Sequence, residues 1–170
     1  AIYWRGRDLS TLLNRPTIAI VGSRKASPYG RAVTTKLAQE LSLAGVVVIS
    51  GLALGVDSIA HRAVLDVKGN TIAILPCGID TIYPASHFGL AKQILQSDGA
   101  LISEYDGDAL PMKHQFIARN RIIAGLADAV LITEAAAKSG SLHTAEFALE
   151  QGKEVFAVPG NITSKTSEGT

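Results

Sequence analysis

The sequence has little cysteine, almost no net charge and no long apolar run, and each shortage excludes a class of protein. A lone cysteine, Cys77, excludes an internal disulfide, and the four histidines show no metal-ligand spacing. The 16 Lys and Arg residues nearly balance the 15 Asp and Glu residues, so any site for a polyanion has to be local. No apolar run approaches the roughly 20 residues that span a bilayer. We therefore expect a cytoplasmic protein without membrane, metal or cofactor.

What the chain does contain is a repeated alternation of short apolar, β-branched runs with longer helical segments. Its hydrophobic fraction of 47% is enough for a core covered on both faces of a sheet. The alternation predicts an α/β fold, a doubly wound and mostly parallel sheet of about six strands with helices on both faces, which is Rossmann-like. The predicted strands are 17–21, 46–49, 71–75, 100–102, 129–133 and 154–158, and the predicted helices are 28–44, 56–67, 88–96, 114–126 and 141–151.

The pattern also predicts how the chain is organised. Residues 1–16, with a short β-like run and one helical turn, are expected to be a prefix that packs on the core rather than a domain. Residues 17–163 form the predicted domain. Residues 164–170 are a polar tail, at which we expect the sequence to have been cut from a longer protein.

The loop after the first predicted strand contains Gly22, Ser23 and Arg24. Parallel sheets bind ligands beyond the carboxyl ends of their strands, so this loop lies where function is expected. It lacks the G-x-G-x-x-G pattern of dinucleotide sites. A glycine that lets amides approach an anion, a hydroxyl and a planar guanidinium favour phosphate binding. The alternative is a tight turn with a solvated arginine.

A second candidate is the segment from Lys113 to Arg121, which combines cations with one aromatic ring. Cations bind the backbone of single-stranded nucleic acid, and a ring offers a surface on which a base can stack. In the alternative interpretation, Phe116 belongs to the core and the arginines are solvated. The candidate residues in this segment are Lys113, Phe116, Arg119, Asn120 and Arg121.

A third candidate follows the fifth predicted strand, where Lys138, Ser139 and Gly140 precede a helix and could hold a phosphate with backbone amides. An ordinary serine-capped helix start is the alternative.

Asp57 is most simply a helix-capping residue, although a carboxylate there could also orient an arginine. Cys77 could be a nucleophile, but no histidine and aspartate partners can be assigned to it.

Long stretches of the chain resemble the DNA-processing protein A family, also called Smf (DprA/Smf). The stretches are VGSRKASPYG (residues 21–30), SGLALGVDSIAHRAVL (50–65), LPCGIDTIYP (75–84), ISEY (102–105) and the segment from FIARN to AVPGN (116–161). The resemblance implies a cytoplasmic bacterial single-stranded DNA-binding protein of natural transformation (competence) and DNA recombination. Such a recombination mediator protects incoming DNA and loads RecA onto it, with no catalysis. A homodimer is compatible with the resemblance.

The resemblance also implies roles for the candidate residues. Gly22, Ser23 and Arg24, together with Lys113 and Phe116, match positions that face DNA in the family. Residues near the same pocket are matched by Arg119, Asn120, Arg121, Lys138, Ser139 and Gly140. No catalytic residue, metal ligand or cofactor is implied.

An enzyme is the second hypothesis, because the fold also resembles the nucleoside-monophosphate phosphoribohydrolases of the Lonely Guy type. Those enzymes carry a Pro-Gly-Gly-x-Gly-Thr-x-x-Glu loop. The corresponding stretch here, from Ser139 to Phe147, lacks two of the glycines. Phe147 stands at the expected carboxylate position, and Glu146 precedes it by one residue.

Overall fold

The computed structural model describes residues 1–170 and contains one sheet of seven strands with six helices. The strands are β1 (Tyr3–Gly6), β2 (Thr17–Val21), β3 (Val47–Ser50), β4 (Thr71–Ile74), β5 (Ala100–Ser103), β6 (Ala129–Ile132) and β7 (Glu154–Ala157). The helices are α1 (Leu9–Leu13), α2 (Pro28–Leu43), α3 (Val56–Asp66), α4 (Phe88–Gln96), α5 (Lys113–Leu126) and α6 (Leu142–Glu150).

Local sequence signals explain the limits of α2. The Ser27 hydroxyl accepts a hydrogen bond from the N–H of Gly30 at 3.0 Å, and Pro28 occupies the first helical position, where no N–H is needed. Gly45 follows the helix with a φ of +89°, a conformation that costs glycine little. The chain then enters β3, which is buried on both faces.

The strand order is β1-β5-β4-β3-β2-β6-β7, and every neighbouring pair is parallel except β1 with β5. The fold is therefore the predicted doubly wound, mostly parallel α/β sheet. The prediction of about six strands is one short, because Tyr3–Gly6 pairs antiparallel with β5 at the edge. A run of that length gives no sequence signal of its partner: Tyr3 pairs with Ser103, which is 100 positions away in the sequence.

Helices cover both faces of the sheet. On one face α2 packs on α3 and α3 on α4, while α5 and α6 pack together on the other. The main core lies under α5 and also includes Leu12 of α1. None of the helices is both long and apolar enough to cross a membrane.

The order of the strands reverses between β2 and β6. From β2 the chain builds outward through β3 and β4 to β5, and α5 then carries it back to β6 on the other side of β2. In open α/β sheets the crevice at such a reversal, beyond the carboxyl ends of the strands, is the usual place for a ligand.

Candidate functional site

A pocket of about 530 Å³ opens at this reversal, and we call it the rim pocket. Loops after β2, β3 and β6 form its walls together with one side of α5. Of the eleven residues predicted from sequence, nine line it: Gly22, Ser23, Arg24, Phe116, Arg119, Asn120, Lys138, Ser139 and Gly140. The tertiary structure thus brings together three segments that are far apart in the chain.

The lining of the rim pocket is positively charged. Three cations, Arg24, Arg119 and Lys138, face one carboxylate, Asp57, which leaves two positive charges in excess if His143 is neutral. The whole chain carries a formal charge of only +1. Positive charge is therefore concentrated at the carboxyl edge of the sheet, as a local polyanion site requires.

Arg119 lies at the floor of the rim pocket and is only 5% exposed. Its Nη1 donates hydrogen bonds to the carbonyl oxygens of Gly51 at 2.6 Å and Ile74 at 2.5 Å. Its Nε donates to the side chain of Asn120, whose amide in turn donates to the carbonyl of Gly140. The structure thus differs from the solvated arginine of the alternative interpretation: Arg119 ties the ends of β3 and β4 to α5.

Asp57 is the buried counter-charge of Arg119. Burial raises the pKa of Asp57, and the Arg119 charge opposes that shift. Burial lowers the pKa of Arg119 to about 10, with Asp57 opposing and Arg24 reinforcing the change. The Asp57 carboxylate accepts N–H groups of Gly51 at 3.1 Å and Ala53 at 3.4 Å, in the loop before α3. It does not cap α3, whose N-cap is Gly55, so the simpler prediction for Asp57 is wrong.

Arg24 and Phe116 are in direct contact. The Arg24 guanidinium carbon lies 5.4 Å from the centre of the Phe116 ring, within the range of a cation–π interaction. The ring of Tyr83 meets Phe116 edge-on, with centroids 5.4 Å apart. Arg24 and Phe116 also line a smaller cavity of about 50 Å³ together with Tyr83, so this pair borders both cavities.

Tyr83 comes from a long loop for which the sequence pattern supplies no role. Residues 76–86 and 103–113 dock on each other: Gly78 donates an N–H to the carbonyl of Ala109 at 2.8 Å, and Asp80 donates one to Gly107 at 2.9 Å. This pairing holds Tyr83 beside α5. An aromatic residue in a long loop at the carboxyl edge was the available signal for Tyr83, but sequence alone does not show which ring it meets.

The first loop, residues 22–27, is closed by a residue that sequence reasoning missed, Glu134. The Ser23 N–H donates to the Glu134 carbonyl at 2.7 Å, and the Ser27 N–H donates to the Glu134 carboxylate at 2.8 Å. A Cβ added to Gly22 would lie 2.6 Å from that carbonyl and 2.8 Å from a methyl group of Val56. Glycine is therefore required here by close packing of the chain on itself, rather than by the approach of an external anion.

The last loop, residues 136–141, is open. Lys138 and Gly140 are exposed, and their N–H groups donate no hydrogen bond within the chain. A Cβ added to Gly140 would meet nothing within 4 Å. Ser141 precedes α6 but makes no capping hydrogen bond; its hydroxyl pairs with that of Ser139 at 2.7 Å. The serine-capped start that was the alternative for this segment is therefore not observed.

Lys113 and Arg121 lie outside the rim pocket. Lys113 is exposed at the start of α5, and Arg121 is exposed and forms an ion pair with Glu104. The Glu104 carboxylate partly neutralises Arg121, so Arg121 attracts an anionic ligand less than Arg24 does. Arg24 forms no ion pair with an acidic side chain. The helical spacing of the cations in this segment therefore does not bring them all into one patch.

Cys77 is buried and its thiol donates a hydrogen bond to the Thr81 carbonyl at 3.2 Å. Burial raises the pKa of the Cys77 thiol to about 11. The nucleophile in thiol chemistry is the thiolate, which is scarce at neutral pH with such a pKa. A catalytic role for Cys77 is not supported.

Comparison with known proteins adds sequence relatives to this geometry. Residues 1–170 match the model of the family described as DNA recombination-mediator protein A. Over 152 residues the chain is 49% identical to the protein Smf of Escherichia coli (strain K12), a match that covers 89% of this chain and 41% of that protein. The chain therefore spans less than half the length of this curated relative.

Two solved structures share the fold closely. DNA processing protein A from Helicobacter pylori, in a study of its single-stranded DNA binding mode, has a TM-score of 0.89 at 39% identity, covering 99% of this chain and 75% of that one. The X-ray structure of DNA processing protein A (DprA) from Streptococcus pneumoniae has a TM-score of 0.90 at 43% identity, covering 99% and 58%.

Proposed function

Because this chain belongs to the DNA recombination-mediator protein A family, we propose that it binds single-stranded DNA along the carboxyl edge of its sheet. The observation that carries the proposal is the concentration of cations and one aromatic ring in the rim pocket of a nearly neutral chain. Single-stranded DNA needs cations along its backbone and a ring on which a base can stack.

In the proposed binding mode, Arg24 and Lys138 hold phosphates on opposite sides of the rim pocket. The free N–H groups of Lys138 and Gly140 add donors on one side, and Phe116 offers its ring to a base. Lys113, exposed at the start of α5, binds the strand after it leaves the pocket. Arg119 supports this surface from beneath by joining α5 to the sheet.

Family membership supports a wider role. We propose that the protein acts in natural transformation and recombination in the cytoplasm, where it protects incoming DNA and loads RecA. This proposal extends beyond the segment described, since the chain covers 41% of its Escherichia coli relative. It therefore applies to the whole protein, as does any homodimer.

The test is binding of fluorescent oligothymidine, followed by anisotropy over a range of salt concentrations. Replacing both Arg24 and Lys113 by alanine should weaken binding about tenfold or more and reduce the salt slope by about 1.4, since two phosphate contacts are lost. The matched control is Arg31→Ala with Lys36→Ala, two exposed cations on α2 outside the rim pocket. Equal binding by the two double variants would contradict the proposal.

The phosphoribohydrolase alternative is not favoured. Family membership points to a DNA processing protein, and the loop differs where the enzymes need a carboxylate. Glu146 is exposed, and its Oε2 lies 2.9 Å from Nδ1 of His143. Phe147 is half-buried at the expected carboxylate position. Incubation with adenosine monophosphate should release no ribose 5-phosphate.

A further inference from the structure

Glu134 is a buried carboxylate that the proposed binding mode does not use. It follows β6, is 2% exposed and lies outside the rim pocket. None of its atoms contacts a cationic side chain as an ion pair. Burying a carboxylate without such a partner is costly unless hydrogen bonds compensate, so its place in the fold requires an explanation.

The explanation lies in what Glu134 holds. Its carbonyl accepts the N–H of Ser23, and its carboxylate accepts the N–H of Ser27, so one residue binds the first loop near both of its ends. Arg24 lies between these two anchors. The first loop is held on its other side by Val56, whose N–H donates to the Ser23 carbonyl at 3.0 Å.

Gly30 shows how closely the carboxylate fits. A Cβ added there would lie 2.5 Å from Oε2 of Glu134 and 2.8 Å from its Cδ. The first turn of α2 is thus shaped to receive this carboxylate, which also meets the positive end of the helix dipole. In a dinucleotide-binding fold an external phosphate occupies the corresponding helix start.

We propose that Glu134 is a positioning residue that acts through Arg24: it substitutes for an external anion at the start of α2 and fixes the first loop so that the Arg24 guanidinium stacks on Phe116. This inference rests on the proposed function for its effect on DNA. The position of Arg24 itself can be measured without DNA. The Glu134 carboxylate thereby neutralises the positive end of the α2 dipole. An incoming phosphate binds the side chain of Arg24 instead of the start of this helix.

The first measurement is therefore made on the free protein by NMR. Protons of a guanidinium stacked on a ring experience a ring-current shift, and Phe116→Leu defines the Arg24 signals without it. Glu134→Gln keeps an oxygen that can accept the Ser27 N–H, so we expect the shift to be retained. In Glu134→Ala we expect it to be lost. A retained shift in folded Glu134→Ala would overturn the proposal.

Gly30→Ala tests the contact between Glu134 and the first turn of α2 by changing the helix instead of the carboxylate. Its new Cβ displaces the Glu134 carboxylate. We expect it to reduce the Arg24 ring-current shift, and to have little further effect in the Glu134→Ala background, where only the Cβ of residue 134, at 3.3 Å, remains close to the new methyl group. If Glu134→Ala does not fold, Gly30→Ala decides the question alone. A full ring-current shift in Gly30→Ala would then refute the role of the carboxylate.

The second measurement is oligothymidine binding. Glu134→Ala should weaken it by about fivefold to tenfold, and the loss should not add to that of Arg24→Ala, since both remove the same contact. Glu134→Gln should bind like the parent chain. Glu150→Ala, which removes an exposed carboxylate at the end of α6, controls for the change in charge. Additive losses, or tighter binding by Glu134→Ala, would contradict positioning through Arg24.

The two measurements separate the two proposals. If the ring-current shift is lost in Glu134→Ala while Arg24→Ala leaves DNA binding unchanged, Glu134 positions Arg24 and the proposed function is wrong. If Arg24→Ala weakens binding while the shift persists in Glu134→Ala, the proposed function stands and the role of Glu134 is refuted.

Discussion

The first loop, residues 22–27, and the last loop, residues 136–141, both link the carboxyl end of a strand to the start of a helix on the same pocket. They differ in what satisfies the helix start. At α2 the chain supplies its own carboxylate, Glu134, and a capping hydroxyl, Ser27. At α6 the N-cap Ser141 makes no capping hydrogen bond, and Lys138 and Gly140 are exposed.

This difference shows that two similar sequence signals can have different physical roles. A glycine and a serine before a helix predict an anion site in both loops, yet the first helix start is filled from within. Arg24 and Ser23 of this loop still line the pocket. In the last loop both the lysine and free backbone donors are available. The pocket is thus asymmetric, with a packed side and an open side.

The largest expected effect is on stability, and it compares the glycines of the two loops. Gly22→Ala places a Cβ 2.6 Å from the Glu134 carbonyl oxygen, so we expect a loss of about 3 kcal/mol in the free energy of unfolding. Gly140→Ala has open space around the new methyl group and should change stability by less than about 0.5 kcal/mol. Urea denaturation measures both. Similar losses in the two variants would show that the loops are packed alike.

A second comparison concerns a buried and an exposed histidine. His61 of α3 is buried, its Nδ1 pairs with the Thr71 hydroxyl at 2.7 Å, and its Nε2 has no partner. Burial lowers the pKa of His61 to about 3, with the charges of His87 and Arg119 adding to the effect. His143 of α6 is exposed beside Glu146.

The sign of the pH effect follows from this pKa. Below about pH 6.5 His61 is protonated in the unfolded chain but stays neutral in the folded chain. The free energy of unfolding therefore falls as the pH is lowered toward the folded-state pKa. Between pH 7 and pH 5 we expect His61 to lower the free energy of unfolding by about 2 kcal/mol. His61→Asn should flatten the pH dependence of the free energy of unfolding by that amount. Urea denaturation at both pH values measures it, and an unchanged pH dependence in His61→Asn would disprove the assignment.

A third comparison concerns the cations that the two loops offer to DNA. Arg24 is held in place by its loop and by Phe116, so we expect Arg24→Ala to weaken oligothymidine binding about tenfold. Lys138 is exposed on a loop without such contacts. Binding DNA must therefore restrict its side chain, which offsets part of the free energy gained from the phosphate contact, so we expect Lys138→Ala to weaken oligothymidine binding only about threefold. Anisotropy titrations at one salt concentration measure both. A larger loss for Lys138→Ala would reverse the assigned roles of the packed and open sides.

The smallest expected effect compares the two helix caps. The Ser27 hydroxyl accepts the Gly30 N–H, so Ser27→Ala should cost about 1 kcal/mol. Ser141 makes no such bond, and Ser141→Ala should cost less than about 0.5 kcal/mol. Thermal denaturation of the two variants is the measurement. Equal losses would indicate that Ser141 caps α6 in solution.

Much of the fold could be predicted because its signals are local. Runs such as Thr17–Val21 are apolar and β-branched, and Ser27 with Pro28 marks a helix start whatever the rest of the chain does. The edge strand Tyr3–Gly6 was underestimated, because its partner Ala100–Ser103 is distant in sequence. The rim pocket was located by a general rule of parallel sheets, and nine predicted residues line it.

The parts of the site that could not be predicted are those set by contacts between distant segments. Tyr83 meets Phe116 only because residues 76–86 and 103–113 pair with each other. Burial of Arg119 depends on carbonyl groups at the ends of two strands. The residue types of Lys113 and Arg121 resemble those of Arg24, but which of them faces the pocket depends on the direction in which each backbone segment points.

By itself, the sequence determined the order and type of the elements, the edge of the sheet at which a ligand is expected and the family of the chain, since short-range patterns encode all three. Only the tertiary structure decided which helix start is filled and which is open. A carboxylate after β6 reaches the first loop across more than 100 positions of sequence, as the separation of 107 between Ser27 and Glu134 shows. Sequence patterns carry no information on such a contact, because hydrogen bonding depends on distance in space.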